Sequence, residues 1–323
     1  MASPAKNWIA RFMLLCVATV IGLGLCEFVL RMMSPGETFG TAQELPWLRG
    51  MDAPDAAQFE ISPEFGFLPV MGTEVRGPYG TLANDYALAK TPGRTRLLFL
   101  GDSVTSRGRI VRAIEAIYRD SRYEYWNAGV ESYNTVQEVV FYEAFNAQIE
   151  PDHVILTFHL NDYETTPVVT RNADGNMVVY RLNRPARQIN RTLFVNSQLY
   201  RAVISLGRSR QADATAIARE VDASLRELAE LLQRDDIKFS VIVLPFMSPD
   251  SEWNPGLVSR RKRILKFLRA NQIRFFDLLP PLRLAIKQGV DVQERPGDAW
   301  HPSDAVSQYF ARHLYDQGLL SAQ

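Results

Sequence analysis

Four short stretches of this chain hold residues able to do acyl-transfer chemistry if the fold brings them together. The first is Leu97 to Gly108, LLFLGDSVTSRG, where an apolar run meets Gly-Asp-Ser. A serine hydroxyl is a weak nucleophile until a base takes its proton, and the oxyanion formed on attack needs donors already in place. Here the apolar run ends at Leu100 and Gly101 permits a tight turn. Ser103 is left at the entrance to the next helix, with its own N–H able to face an oxyanion and Asp102 beside it as site lining. Taken alone, Gly-Asp-Ser favours the plainer reading, a strand followed by a serine-capped helix, and it is the three further stretches that turn the reading toward chemistry.

The second stretch, Asn127 to Tyr133 (NAGVESY), is a turn in which Gly129 can bring a backbone N–H close to a bound molecule. The third, His159-Leu-Asn161-Asp162, offers the Asn161 amide as a further donor, with His159 and Asp162 flanking it as candidate lining. The fourth, Gly297 to Ser303 (GDAWHPS), places Asp298 three residues before His301, in a loop ahead of the last helical run. An acid holding Nδ1 of a histidine whose Nε2 faces a serine is the logic of a triad, whatever the order along the chain. Of the four histidines, His153 opens a strand and His313 lies on a helix's apolar face, so both read as structural. His159 borders the asparagine. His301 alone has an aspartate partner and a loop position, which makes it the candidate base.

These groups need elements to position them. Short apolar runs of strand type cover Arg96 to Leu100, Tyr123 to Trp126, His153 to Phe158, Phe239 to Leu244 and Arg274 to Phe276. Between and after them lie helical patterns over Asp213 to Gln233, Leu257 to Asn271 and Ser303 to Gln317. Runs that are apolar without strict alternation suit a parallel sheet covered on both faces. The expected fold is therefore α/β, a three-layer α/β/α sandwich with a mostly parallel five-stranded sheet. Functional groups then collect at the strands' carboxyl ends. Ser34 to Arg94 is rich in Pro and Gly and reads as a linker passing into turns and a hairpin. Tyr163 to Gly207, long, polar and broken by NADGN at 172–176, Pro167 and Pro185, fits least well and is read as a cover over the site. The sequon at Asn190 to Thr192 is given no weight.

Phe12 to Cys26 carries no charge, and the apolar character continues past Glu27 to Leu30, about 19 residues in all. That is long enough to cross a bilayer at about 1.5 Å per residue. Lys6 and Arg11 precede it, so the positive-inside bias puts the N-terminus in the cytoplasm and the remainder outside the inner membrane, in the periplasm or beyond. A cleaved signal peptide is the alternative. No small-x-small cleavage pattern follows the run, and Leu25 before Cys26 does not suit lipoprotein processing, so an uncleaved single-pass anchor is expected. The expected division is 1–32 stub and anchor, 33–95 lead-in, 96–323 the folded domain. Both cysteines, Cys16 and Cys26, lie in the anchor, which excludes disulfide, zinc-thiolate and cysteine-nucleophile readings for the rest. Without the charges of residues 1–31, 33 basic residues face 35 acidic ones, a balance of −2 that argues against a nucleic-acid partner.

The four blocks in this order resemble the SGNH hydrolases, the GDSL esterase and lipase superfamily, and the anchor resembles its membrane-tethered bacterial branch. The resemblance spans Arg96 to about Gln317. It implies a flavodoxin-like fold, Ser103 as nucleophile, His301 as general base and Asp298 as its orienting acid. The oxyanion hole it implies is made of the Ser103 N–H, the Gly129 N–H and the Asn161 side chain, with no cofactor and no metal. Two positions depart from the family pattern. His159 stands where the third block usually has glycine, and Val104 where many relatives have Leu or Phe. The Gly-x-Ser-x-Gly elbow of α/β-hydrolases is absent. The expected activity is hydrolysis of an O-acyl ester, most simply O-acetyl, on a carbohydrate of the cell envelope. Two alternatives stand beside it: an O-acetyltransferase working with a membrane-bound acyl donor protein, and a catalytically silent glycan-binding member.

Overall fold

Five of the strands are short because their side chains must be apolar on both faces, and few residues in a row satisfy that. In the computed structural model, which describes residues 4–33, 42–43, 59–62, 64–171, 177–180, 189–206 and 210–321, they are β4 (Thr95–Gly101), β5 (Tyr123–Asn127), β6 (His153–Phe158), β9 (Lys238–Val243) and β10 (Phe275–Asp277). Their order across the sheet is β10-β9-β6-β4-β5 and every pairing is parallel. Successive residues of β4 feed opposite layers: Leu97 and Phe99 pack into one cluster, Leu98 and Leu100 into the other, and none exceeds 1% exposure. Each such side chain contributes about 1.5–3 kcal/mol of burial free energy, so β4 is anchored from both sides.

Parallel neighbours require crossovers, and helices supply them. One face is covered chiefly by α3 (Arg109–Tyr118), α9 (Leu279–Lys287) and α10 (Asp304–Asp316), through Ile110, Ile114, Leu282, Val306, Phe310 and Leu314. The other is covered by α4 (Thr135–Ala144), α7 (Arg210–Arg234) and the main run of α8 (Pro255–Ala270). The strand order reverses between β4 and β6. In a doubly wound sheet that reversal opens a crevice at the carboxyl edge, the position where ligands bind. Ser103 follows β4 and Asn161 follows β6, so two of the four stretches flank this crevice.

The anchor run forms α1 (Pro4–Met33), in which Arg11–Met33 is long and apolar enough to cross a membrane. Part of the Pro/Gly-rich lead-in falls among the described residues. Strands β2 (Phe59–Ser62) and β3 (Gly66–Pro69) form an antiparallel hairpin, and Phe65 and Phe67 pack against Tyr133 and Phe141 of the body. Arg76, buried, donates from Nη2 to the Gly129 carbonyl at 2.7 Å. The segment read as a cover forms β7 (Val168–Arg171), β8 (Met177–Tyr180), α5 (Arg191–Asn196) and α6 (Gln198–Leu206). β7 contacts the hairpin, and the two-residue β1 (Ala42–Gln43) adds to β8. Residues 172–176 and Pro185 lie outside the described residues.

At the amino edge of the sheet, Arg96 and Glu124 form an ion pair at 2.9 Å, each 1% exposed. Its cost is offset by a bond at each guanidinium nitrogen: beside the Nε contact to Glu124, Nη1 donates to Ile149 O at 2.6 Å and Nη2 to Ala87 O at 2.8 Å, while Trp126 Nε1 donates to Glu124 at 3.1 Å. Removing one partner strands the other charge. Arg96→Met is expected to lower unfolding free energy by about 3–5 kcal/mol. Arg96→Met combined with Glu124→Leu is expected to recover most of that loss, as measured by urea unfolding of the detergent-solubilised chain.

Candidate active site

Two glycines let the crevice form. A Cβ on Gly101 would stand 2.1 Å from Thr105 Oγ1, so the chain can leave β4 and turn directly into α2 (Ser103–Ser106) only with glycine there. A Cβ on Gly129 would stand 2.3 Å from the Ser106 nitrogen, so the loop after β5 lies flat on α2 for the same reason. Asp102 caps α2: its Oδ1 accepts from the Val104 N–H at 2.9 Å. Ser103 is thereby fixed as the first helical residue, where a backbone N–H has no partner within the helix.

Ser103 Oγ lies 2.8 Å from His301 Nε2, across 198 residues of sequence. On the far side of the ring, Nδ1 is 2.9 Å from both Asp298 oxygens. The Trp300 and His301 N–H groups add bonds to Asp298 Oδ1 at 3.2 and 3.3 Å. Partial burial works to raise the Asp298 carboxyl, but its bonds to His301 and to these N–H groups outweigh that and hold it below its ordinary value. An ionised acid then fixes the imidazole with Nδ1 protonated and Nε2 open toward the serine. The loop itself is stapled: Glu294 N–H bonds His301 O at 2.9 Å and Met247 N–H bonds Ala299 O at 2.8 Å.

Asn161 sits in a 3-10 turn, 160–162, at the end of β6. Its Nδ2 is 3.3 Å from Asp102 Oδ2 and its Oδ1 is 2.5 Å from His159 Nδ1. This pairing settles which way the amide faces. Reversed, it would set its oxygen against the Asp102 carboxylate. His159 is 1% exposed, and burial pushes its imidazole down, so it is neutral with Nδ1–H donating to Asn161. Its Nε2 has no partner among the described residues, and its ring meets Trp300 edge-on at 5.3 Å. His159 thus orients the amide that meets Asp102, the neighbour of Ser103, and contacts the loop of His301.

Gly129 is differently placed. Its N–H donates to Asn127 Oδ1 at 2.9 Å within its own turn, while Asn127 Nδ2 holds Thr105 O at 2.7 Å. Asp162 is fully buried and props the turn, its Oδ2 accepting from His159 N–H at 3.0 Å and from Thr135 Oγ1 at 3.2 Å. It supports the site from beneath and does not line it. His153, buried, bonds Ser240 at 2.9 Å between the paired strands β6 and β9.

Sequence patterns give no sign of an arginine and carboxylate network beside His301. Arg107 pairs with Glu294 and reaches Glu131 at 3.7 Å and Asp298 at 4.0 Å; Arg109 reaches Glu294 at 3.1 Å and Asp304 at 3.2 Å. Glu294, Asp298 and His301 converge closely enough to hold a cation. With two guanidiniums on Glu294 and Asp298 bonded to the imidazole, the donor set is already spent on partners inside the protein. A cleft of about 510 Å³ opens alongside, with Ser106, Arg107, Glu131, Arg295, Phe59 and Val75 in its lining.

Beneath the turn, Glu138 on α4 is buried with neither oxygen partnered among the described residues, and Asp162 Oδ1 is likewise bare. Burial first, and the neighbouring carboxylates second, push both acids well above the usual carboxylate range. Both therefore hold a proton to higher pH in the fold than in the unfolded chain. Their contribution to stability is complete below the unfolded values and declines as pH rises toward the folded ones. Glu138→Gln is expected to raise the urea midpoint at pH 7–8 and flatten its decline between about pH 5 and 8, relative to the unsubstituted chain measured in parallel.

No family model and no curated protein matches the sequence. Solved structures similar in backbone course include the acetyl xylan esterase AlAXEase, at 17% identity and TM-score 0.46, covering 69% of this chain and 98% of the other. A second is Axe2, an acetylxylan esterase from Geobacillus stearothermophilus, at 15% identity and TM-score 0.46, covering 70% and 96%. A third is LAE5, an alpha/beta hydrolase enzyme from the metagenome of Lake Arreo, Spain, at 15% identity and TM-score 0.45, covering 71% and 97%.

Proposed function

We propose that this chain is a serine esterase of the SGNH type that removes an O-acyl group, most simply O-acetyl, from carbohydrate at the cell envelope. The observation that carries the reading is the row Ser103 Oγ, His301, Asp298, with 2.8 and 2.9 Å between successive members. In this mechanism His301 Nε2 takes the Ser103 proton as Oγ attacks the ester carbonyl, and ionised Asp298 stabilises the imidazolium. The Ser103 N–H and Asn161 Nδ2 receive the oxyanion, and Gly129 joins them by giving up its bond to Asn127. His301 then passes its proton to the leaving alkoxide. Water attacks the acyl-enzyme, His301 again accepts a proton, and collapse of the second tetrahedral intermediate returns that proton to Ser103 and releases the carboxylic acid.

The adjoining cleft supports a hydroxyl-rich carrier for the acyl group. Charged Arg107, Glu131 and Arg295 stand there with Ser106 and with apolar Phe59, Val70, Val75 and Leu82, a mixed surface that offers a sugar both hydrogen-bonding groups and apolar contact. In the same reading α1 is a single-pass anchor with residues before Arg11 in the cytoplasm and the hydrolase outside.

Ser103→Ala is expected to abolish turnover of p-nitrophenyl acetate by the purified chain; retained turnover refutes the assignment. Asn161→Ala is expected to lower kcat about 100 to 1000-fold with little change in KM. His159 acts through that amide, so His159→Leu is expected to lower kcat by a smaller factor, and to add nothing in the Asn161→Ala background. Additive losses in this double-mutant cycle would assign His159 a merely structural part.

A further inference from the structure

Glu27 is the one acidic residue in the apolar run of α1, and an ionisable group in such a run calls for a partner. The structure supplies one in an element distant in sequence. The Glu27 carboxylate accepts from Ser197 Oγ at 2.8 Å, from the Gln198 N–H at 2.9 Å and from the Leu199 N–H at 2.8 Å. These are the junction between α5 and α6 and the first N–H groups of α6, which have no partner inside the helix. Arg31, one turn on, bonds Glu27 at 2.7 Å and donates to Asn196 O at 2.6 Å. The elbow of two short helices is thus clamped to the outer end of α1.

The same two helices are apolar on two sides. Phe194 and Ile204 face inward, packed with Val168, Val178, Tyr180 and Ile189. Leu193, Val195 and Val203 face outward at 46%, 43% and 58% exposure. A helix apolar on both sides needs a second cover. Its depth along α1 indicates which. About 20 residues cross the hydrocarbon, so a span beginning at Arg11 ends near Arg31. Glu27 then lies about 6 Å inside the boundary, in the zone about 5–10 Å deep where interfacial helices bury their apolar side.

We propose that α5 and α6 form a collar that lies in the outer bilayer interface around the end of α1, with Leu193, Val195 and Val203 among the lipid acyl chains. The clamp at Glu27 and Arg31 makes anchor and body one unit at the membrane surface, in place of a domain swinging on a tether. The inference rests on α1 spanning a bilayer, as in the function proposed above.

The test uses the full chain in phosphatidylcholine vesicles. Single cysteines are introduced by Leu193→Cys, Val195→Cys or Val203→Cys, with Cys16→Ala and Cys26→Ala, and labelled with an environment-sensitive fluorophore. Nitroxides on the lipid acyl chains then report depth. A label at Lys287→Cys on α9 serves as the reference, and a label on native Cys16, with Cys26→Ala, tests the anchor itself. Shallow nitroxides are expected to quench the three collar labels at least threefold more than the reference, and Glu27→Ala to reduce the Val203→Cys signal toward it. Quenching equal to the reference while Cys16 is quenched by deep nitroxides overturns the collar and leaves the anchor intact. A Cys16 label that no nitroxide reaches overturns both.

Discussion

The Ser103 hydroxyl and the His301 imidazole meet at 2.8 Å although 198 residues separate them, so the pair exists only as long as the sheet and the loop of His301 hold their places. Neither end is held by its neighbours in sequence alone. Ser103 is fixed by β4, which is buried on both faces and paired on both edges, and by the cap that Asp102 puts on α2. His301 is fixed by Asp298, by the bonds that staple its loop to Met247 and Glu294, and by Trp300, which packs edge-on against His159 and Phe246. The sheet's topological reversal between β4 and β6 leaves the space into which both ends point.

Asp102 does more than start a helix. One oxygen caps α2 and the other meets the Asn161 amide, which His159 orients from its other end. The proposed nucleophile and the proposed oxyanion donor are therefore referenced to one carboxylate. The arrangement concentrates polar groups in a dry place: His159, Asp162 and Glu138 are all buried, and atoms of each lack partners among the described residues. Keeping a buried imidazole and two buried carboxyl groups beneath the site costs stability that an apolar packing would not. What it supports is a turn whose side-chain amide cannot rotate.

Much of this is legible in the residues themselves. The five strands announce themselves as apolar runs, and α7, α8 and α10 by long apolar periodicity, while the caps that Asn254 and Ser303 put on α8 and α10 emerge only in the fold. Ser103, Asp298 and His301 stand out because their order and local spacing match a chemical need. Shorter helices are harder: α3 and α4 span ten residues each and α9 nine with two prolines, too few turns for the period to separate them from loops. Contacts between distant polar residues are invisible to spacing. Nothing in NAGVESY tells that Asn127 takes the Gly129 N–H, and nothing around Glu138 shows that it faces Asp162 in the dark. Arg107 and Glu294 lie 187 residues apart, and Glu27 and Ser197 lie 170 apart. The lead-in at 64–95 also reads as turns when its aromatic residues are in fact part of the body's packing.

The central claim is that Ser103, His301 and Asp298 act as one nucleophilic unit. It is tested most directly by the mass of the Ser103 peptide and the inactivation rate after treatment with a fluorophosphonate. The account predicts a single adduct on Ser103, formed at least about a thousandfold more slowly in His301→Gln. An adduct on another residue, or equal rates with and without His301, would contradict it.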